Sequence, residues 1–349
     1  MTNKFKLLAA GSSITMAVLG ASPVFAAGTT AGTVITNTAT VNFTVGGVAQ
    51  TAQTASNNLT VDRKIVITDA VVDAAPVAVV PGQTSPVMVF SVTNSSNSIM
   101  DIDLVAAAQA SGVAVGFSKT SSFAAGSTIV LHTGSASGPV VTYLDEAAID
   151  STTTIYAVDT STPAIPTTAT NGQYAGITLT ATARQGGTAG SEGAAVTTTT
   201  PYGGANNVFA ESAGFGSDAA NNGVYVSSDV FVISAPVLTV TKTSTIISDP
   251  INGTTNPKAI PGATVRYCIQ IANAAGAATA TAPVVSDPLG SLPVTYVASS
   301  IKLNGTITTG VCNWDGTAGG TFTSSTVSGT LNNLAGGSSE SLYFDVTIN

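Results

Sequence analysis

Apolar and hydroxyl-bearing residues alternate along most of this chain, beginning with the stretch TVITNTATVNFTV at residues 33–45. A period of two is typical of a half-buried β-strand, and the stretch is rich in β-branched residues. One face of this predicted strand carries mainly threonine. The apolar face, with one asparagine among its members, carries Ile35, Asn37, Ala39, Val41, Phe43 and Val45.

A hairpin turn is predicted directly after this strand. Gly46 and Gly47 form a turn signal, and the Thr-, Gln- and Ala-rich segment 48–61 supplies a return strand. Residues 33–61 are therefore predicted to form one β-hairpin. An isolated hairpin is marginally stable in water, so we expect it to pack on further strands.

Strand patterns continue through residues 62–235 and are separated by turn formers such as Pro81-Gly82 and Asn171-Gly172. Seven strands are the number found in an immunoglobulin-like sandwich, so this region is predicted to close without the hairpin. The seven predicted strands are 64–72, 87–93, 101–108, 127–132, 152–158, 174–183 and 224–233.

The strand pattern restarts at Pro236 and gives six further strands, one fewer than the usual seven. The predicted fold class is therefore all-β: a hairpin with a donor strand (27–62) followed by two immunoglobulin-like β-sandwich domains (63–235 and 236–349). The six predicted strands are 237–244, 264–273, 282–290, 294–305, 321–334 and 341–349.

The first 26 residues have the pattern of a secretory signal peptide. Lys4 and Lys6 precede a short apolar run, and small residues follow at 24–26. No later run is long and apolar enough for a membrane-spanning helix. We therefore predict an exported protein that is secreted or held at the cell surface.

Charged residues make up only 8% of the chain, and the formal net charge is -8. This acidic balance argues against binding nucleic acid or anionic lipid through charge. Apolar residues make up 44%, which argues against disorder. The surface is therefore expected to be rich in Thr, Ser, Asn, Gln and Gly.

The two cysteines, Cys268 and Cys312, predict one structural disulfide, because disulfides persist in exported proteins. Catalysis has little support, since His132 is the only histidine and no nucleophile-elbow motif is present. The chain is predicted not to be an enzyme and to need no cofactor. Trp314 is expected to cover the disulfide.

The sequence also offers residues for two other kinds of site, a calcium site and an isopeptide bond. Calcium ligands in loops are conceivable, but acidic loop residues are more often simply solvated; the candidates are Asp101, Asp103, Asp145, Glu146 and Asp218 with residues 221–223. Lys242 is a candidate for an isopeptide bond to Asn37 or Asn349, assisted by Asp345, although an ordinary edge lysine is the preferred interpretation.

Residues 237–349 resemble the conserved-repeat domain of bacterial surface proteins known as domain of unknown function eleven. The resemblance is carried by LTVTKT at 238–243, Pro261-Gly262 before VRYCIQIAN, PVVSDPL at 283–289, IKLNG at 301–305 and SLYFDVTI at 341–348. In that family a segment of the form I-x-N-T-A-x-V usually follows the last of these. Here the matching ITNTATV lies at 35–41, so the order looks circularly permuted. The resemblance implies cell-surface architecture and no reaction.

The sequence thus offers an unpaired strand at its front and a domain one strand short at its end. We predict an acceptor groove in the second domain formed by Val265, Tyr267, Ile269, Ile271, Leu342, Phe344, Val346 and Ile348. Three seats for the hairpin stay open: the groove of a neighbouring copy, the sheet of the first domain, or the groove of the same molecule.

The first seat predicts a structural subunit of an extracellular filament or layer whose partners are identical copies, joined by donor-strand complementation. The other function considered is a monomeric, surface-anchored binding module or adhesin. Such a module would bind a host or carbohydrate ligand.

Overall fold

A computed structural model describes residues 28–199 and 202–349, so the predicted signal peptide at 1–26 lies outside the described residues. Within these two ranges the chain forms strands and no α-helix, which confirms the all-β fold class. Accordingly, none of the described residues belongs to a helix long and apolar enough to cross a membrane.

The N-terminal hairpin, residues 33–61, is formed by β1 (Val34–Val41), β2 (Thr44–Val45), β3 (Val48–Ala49) and β4 (Gln53–Thr60). β1 pairs antiparallel with β4, and β2 with β3. Gly46 and Gly47 make the turn with φ values of 61° and 83°, a backbone region that favours glycine. The predicted single strand 33–45 is interrupted at 42–43, because three residues of the return side (50–52) face these two and form a bulge.

The first hydrophobic core lies between a four-stranded sheet, β12-β14-β8-β6, and a five-stranded sheet, β13-β9-β15-β17-β7. Fully buried Phe90 and Ile155 from one sheet meet Leu179 and Phe231 from the other. The strands of this region are β5 (Arg63–Ile65), β6 (Ile67–Val71), β7 (Val77–Val79), β8 (Val87–Asn94), β9 (Met100–Ala108), β10 (Ala114–Val115), β11 (Lys119–Thr120), β12 (Ile129–Thr133), β13 (Tyr143–Ala147), β14 (Ser151–Asp159), β15 (Tyr174–Gln185), β16 (Asn207–Phe209) and β17 (Val224–Ile233).

Six of the seven predicted strands of this region are present as single strands, the predicted strand 64–72 is two strands, β5 and β6, in different sheets, and five further strands were missed. β13 has the sequence YLDEA, whose adjacent acidic residues conceal an alternating pattern, and its register shifts at a bulge beside Glu146. β7, β10, β11 and β16 have only two or three residues each, too few to show a period of two.

The second hydrophobic core contains residues from Val265 to Val346 and shares no member with the first. Its strands are β18 (Leu238–Ser248), β19 (Thr264–Asn273), β20 (Val284–Pro288), β21 (Val294–Tyr296), β22 (Lys302–Gly305), β23 (Ile307–Thr308), β24 (Val311–Cys312), β25 (Thr317–Ala318), β26 (Thr321–Thr323), β27 (Thr326–Thr330) and β28 (Ser339–Ile348). The predicted strand 294–305 is in fact two strands, β21 and β22, because the chain turns at Ser299, whose φ is 61°, before it pairs with β28 again.

The predicted count of six strands for this region is too low, because 294–305 and 321–334 each contain two strands and β25 was missed. The resulting nine strands form two sheets of unequal width that enclose the second core. The long sheet has five strands side by side, in the order β18-β19-β28-β22-β25, with β21 also paired to β28. The short sheet has three strands, in the order β20-β27-β26. The immunoglobulin-like description and the domain boundaries stay predictions.

The two sheets are joined on one side and unjoined on the other. On the joined side the chain crosses directly from β25 to β26 through Gly319 and Gly320. Gly320 has a φ of 73°, and a Cβ atom added there would lie 2.6 Å from the Ser328 carbonyl oxygen, so only glycine fits. On the other side, β18 ends the long sheet and β20 ends the short sheet. We call this side the open flank.

Candidate assembly surfaces

The N-terminal hairpin is exposed on both faces. Every residue from 33 to 59 is solvent-exposed, including Val41 at 60% and Leu59 at 63%. β1 and β4 form a two-stranded sheet by themselves. Among the described residues, the hairpin therefore has no additional strand or core of the kind that a two-stranded ribbon needs for independent stability.

The pairing register makes the hairpin amphipathic. Directly opposed residues of an antiparallel pair lie on the same face, so Ile35 opposite Leu59 and Ala39 opposite Ala55 share the apolar face with Val41. On the polar face, the Thr36 hydroxyl donates to Asn58 at 2.8 Å, and the hydroxyls of Thr38 and Ser56 are 2.8 Å apart. The donor-strand residues Ile35, Asn37, Ala39 and Val41 thus lie on one face, while Phe43 and Val45 lie at or beyond the bulge.

The base of the hairpin is attached to the first core. The backbone N–H of Ala31 donates to Asn97 at 2.9 Å, and the Asn97 amide donates to the carbonyl of Asp62 at 3.0 Å. Next along the chain, fully buried Arg63 donates to Asn207 and Gln185, both at 2.7 Å. The hairpin is therefore fixed where it leaves the first core, and its strands extend into solvent.

The eight residues of the predicted acceptor groove are brought together on one face of β19 and β28. Val265 lies opposite Val346, Tyr267 opposite Phe344, and Ile269 opposite Leu342. This face already forms the second core, and most of its members are less than 9% exposed: Val265, Ile269, Ile271, Leu342, Phe344 and Val346. Tyr267 and Ile348 are partly buried against the same core.

An incoming strand would not reach the buried members of the predicted groove without opening the core. The apolar surface that is accessible lies one strand away from the predicted groove, on β18. In the β18–β19 register Val240 lies opposite Ile271 and Lys242 opposite Ile269, so both point to the inner side of the long sheet. Ile269 is only 6% exposed, whereas Val240 is 63% exposed and Leu238 is 43% exposed. The short sheet does not extend far enough to cover β18.

An ion pair spans the open flank. Lys242 Nζ on β18 lies 2.6 Å from Asp287 Oδ2 on β20 and 4.6 Å from the centre of the Tyr267 ring. The isopeptide partners proposed from the sequence are not assembled around Lys242. Asn349 accepts a hydrogen bond from Thr295, and Asp345 pairs with Arg266 at 2.6 Å on the opposite face of the sheet.

The disulfide between Cys268 and Cys312 is present, as predicted. Cys268 lies on the outer face of the long sheet, and Cys312 belongs to the β23–β24 ribbon. Trp314 packs against this cluster and meets Tyr343 edge to face at 5.3 Å. The bridge therefore holds the ribbon over the outer face of the sheet, and Trp314 covers it.

The acidic residues considered for calcium have protein partners. Asp101, Asp145 and Glu146 come within 4.8 Å of one another. Their oxygens accept backbone N–H groups of the loop 187–193, including those of Gly190 and Gly193 at 2.8 Å each. Asp103 pairs with Arg184, and Asp218 accepts from Gly214. These carboxylates hold loops in place.

Sequence reasoning missed a groove of about 750 Å³ beside β6 and β17, lined in part by Asp69 and Ser227. Asp69 is only 4% exposed, and burial raises its pKa to about 8, outweighing the Ser227 hydroxyl, which acts in the opposite direction. Burial likewise raises the pKa of fully buried Asp229 to about 7. An alternating pattern signals which face a residue occupies, but not that an inward acid will be desolvated.

His132 lies on β12, where its Nδ1 is 2.8 Å from the carbonyl oxygen of Gly138. This contact ties two neighbouring segments together and gives the imidazole a structural role.

Comparison with known proteins gives no identification: no protein-family model matches the chain, and no curated protein is detectably similar to it.

Proposed function

We propose that the chain is a structural subunit of an extracellular cell-surface filament or layer, assembled head to tail. The N-terminal hairpin of one copy serves as the donor and adds to the second core of the next copy. The observation that carries this proposal is the hairpin itself. Its two paired strands have an apolar face, are exposed on both sides and, within residues 28–199 and 202–349, are attached to the molecule only at their base.

The composition of the hairpin supports an assembly role. Exposed sheet edges invite pairing with other chains, and proteins usually protect them with charged residues or proline. Residues 28–61 contain neither a charged residue nor a proline. The hairpin thus keeps an unprotected edge beside an apolar face, which is the combination that β-strand addition requires.

The placement of the two surfaces supports a filament. The hairpin precedes the first core, and the open flank belongs to the second core, so the contact joins two different patches. Contacts between different patches continue from copy to copy and form fibres unless a ring closes. The disulfide suits an oxidising compartment, which supports an extracellular location.

Two adjacent hairpin positions allow a matched test. Val41→Lys places a charge on the apolar face, whereas Thr40→Lys places the same charge on the polar face. We expect the wild-type protein and Thr40→Lys to form filaments in negative-stain micrographs and to sediment faster as concentration rises. Val41→Lys should stay monomeric, because docking would bury its ammonium group.

Two results would contradict the proposal. One is a wild-type protein that stays monomeric at high concentration. The other is a Val41→Lys variant that assembles as well as Thr40→Lys.

A persistently monomeric protein would favour the second function, a surface-anchored binding module. One feature supports this alternative: the stacked rings of Tyr296 and Phe322, 4.3 Å apart, line a groove of about 660 Å³. Stacked aromatic rings beside a groove suit an apolar or carbohydrate ligand.

A further inference from the structure

We propose that the hairpin docks in one particular seat: it joins the short sheet of a second copy of this chain along the free edge of β20, with its apolar face over β18. This inference rests on the proposed function and adds the location, the facing side and the strand that receives the hairpin.

β20 has an unpaired edge that can receive a strand. In the part of the chain that the structure describes, it pairs only with β27, in an antiparallel ladder. The N–H of Leu331 donates to the Pro283 carbonyl at 2.9 Å, and the N–H of Leu289 donates to the Ser325 carbonyl at 2.8 Å. Because backbone groups point to alternate sides along a strand, those of Val284 and Ser286 point away from β27.

The exposed side chains of β18 indicate which of the two free edges of the open flank receives the hairpin. A strand added beside β18 would widen the long sheet and leave Leu238 and Val240 as exposed as before. A strand added beside β20 widens the short sheet instead, and the facing sheets of a sandwich bury each other's inner side chains. Only the second arrangement covers the 63% exposed side chain of Val240.

The widths of the two sheets agree with this choice. The long sheet has five strands side by side, and the short sheet has three. β1 and β4 together supply two strands, which would bring the short sheet to the width of the sheet that it faces. In this arrangement β1 pairs with β20, and β4 becomes the new edge.

The inner side of β18 and the apolar face of the hairpin also match in polarity. The inner side of β18 carries two apolar residues, Leu238 and Val240, beside Lys242, whose charge is neutralised by Asp287 at 2.6 Å. The apolar face of the hairpin carries Ala39 and Val41 beside Asn37. A docked hairpin would therefore meet an apolar patch and a paired charge, and it would bring no charge of its own.

The proposed docking position predicts which face of β1 continues which face of β20. The outer side of β20 carries Val284, Ser286 and Pro288, which are exposed, while Val285 and Asp287 point inward. If the apolar face of β1 covers β18, its polar face must continue the outer side of β20. Thr36, Thr38 and Thr40 should then lie beside Ser286, within reach of a disulfide if replaced by cysteine.

Cysteine pairing in the full-length chain tests this geometry, because both native cysteines are already bridged. Chains with Ser286→Cys are mixed with chains that carry Thr36→Cys, Thr38→Cys or Thr40→Cys, oxidised, and run on non-reducing gels. We expect a cross-linked dimer with at least one of these three. The matched controls Ile35→Cys, Ala39→Cys and Val41→Cys should give none, because they lie on the other face.

Competing seats have their own signatures. Cross-linking to Thr241→Cys, on the outer side of β18, would show that the hairpin widens the long sheet and would overturn the seat. Cross-linking within one molecule, in a dilute chain carrying both a hairpin cysteine and Ser286→Cys, would overturn the choice of a second copy.

A charge substitution separates this inference from the proposed function. Val240→Lys places an ammonium group under the docked hairpin, whereas Val284→Lys, at 67% exposure, places it on the outer side of β20. We expect loss of filaments with the first and normal filaments with the second. If hairpin-dependent filaments form and both variants assemble, the seat is wrong and the function stands. If the wild type forms no filaments, both fail.

Discussion

Replacing Asp69 by asparagine should change how the stability of the first core depends on pH. The pKa of Asp69 in the folded protein is raised to about 8, mainly by burial, while an unfolded aspartate titrates near its ordinary value of 3.8. Between roughly pH 4 and pH 8 the folded state therefore retains a proton that the unfolded state has released. Because the folded state binds more protons, the free energy of unfolding must fall as pH rises through this window.

The size of the effect follows from the width of the window. Each pH unit between the two pKa values costs about 1.4 kcal/mol, so the full interval would amount to about 6 kcal/mol by pH 8. Asp229, with a pKa raised to about 7, contributes in the same direction over a shorter interval. Asp69→Asn cannot ionise, so it should lose its share of the slope and become more stable than the wild type at pH 8.

Calorimetric unfolding from pH 4 to pH 8 measures this slope directly. Asp150→Asn provides a matched control, because Asp150 is exposed. Fluorescence of Trp314, which lies beside the disulfide on the outer face of the long sheet, should report a transition unaffected by Asp69→Asn. The reasoning is refuted if Asp69→Asn keeps the wild-type slope, since the retained proton would then reside on another group.

Three further changes probe the second core by calorimetric or denaturant unfolding. Replacing both Cys268 and Cys312 by serine should cost about 4 kcal/mol by the chain-entropy model for a separation of 44 residues, and an unchanged midpoint on reduction of the wild type would contradict it. Gly320→Ala should cost more than about 1 kcal/mol, because the added methyl group meets the Ser328 carbonyl at 2.6 Å and the φ of 73° disfavours alanine. Gly310→Ala, with a similar φ of 80° but open space around it, is the control that isolates the contact and should cost less. Lys242→Met should destabilise by about 1–3 kcal/mol because it leaves the buried Asp287 unpaired, and adding Asp287→Asn should restore most of that loss; additive losses would rule out a direct pair.

The sequence was sufficient for features that depend on neighbours along the chain. Alternation and a Gly-Gly turn predict the hairpin, because strand and turn are both decided within about thirty residues. The disulfide followed equally directly, since Cys268 and Cys312 are the only two cysteines. The same alternation placed the inward residues of β19 and β28 on one face, where the structure has them.

The location of the open surface could not be predicted in the same way. The acceptor groove was assigned to the most apolar strands, which are the strands that a core covers best. Whether a strand lies at the centre or at the edge of a sheet depends on distant pairing, and Val240 on β18 has the same local pattern as a covered residue. The raised pKa of Asp69 depends on such distant packing as well.

The lack of charge between residues 28 and 61 determines how the proposed assembly should respond to its surroundings. The proposed interface joins uncharged hairpin side chains and backbone groups to a surface on which the charge of Lys242 is already paired with Asp287, so dissolved ions have little to screen. Sodium chloride at seawater strength should therefore leave the polymer length nearly unchanged. Cooling weakens the burial of apolar surface, so filaments should shorten in the cold and recover on warming. Sulfate, which is excluded from protein surfaces, should lengthen them.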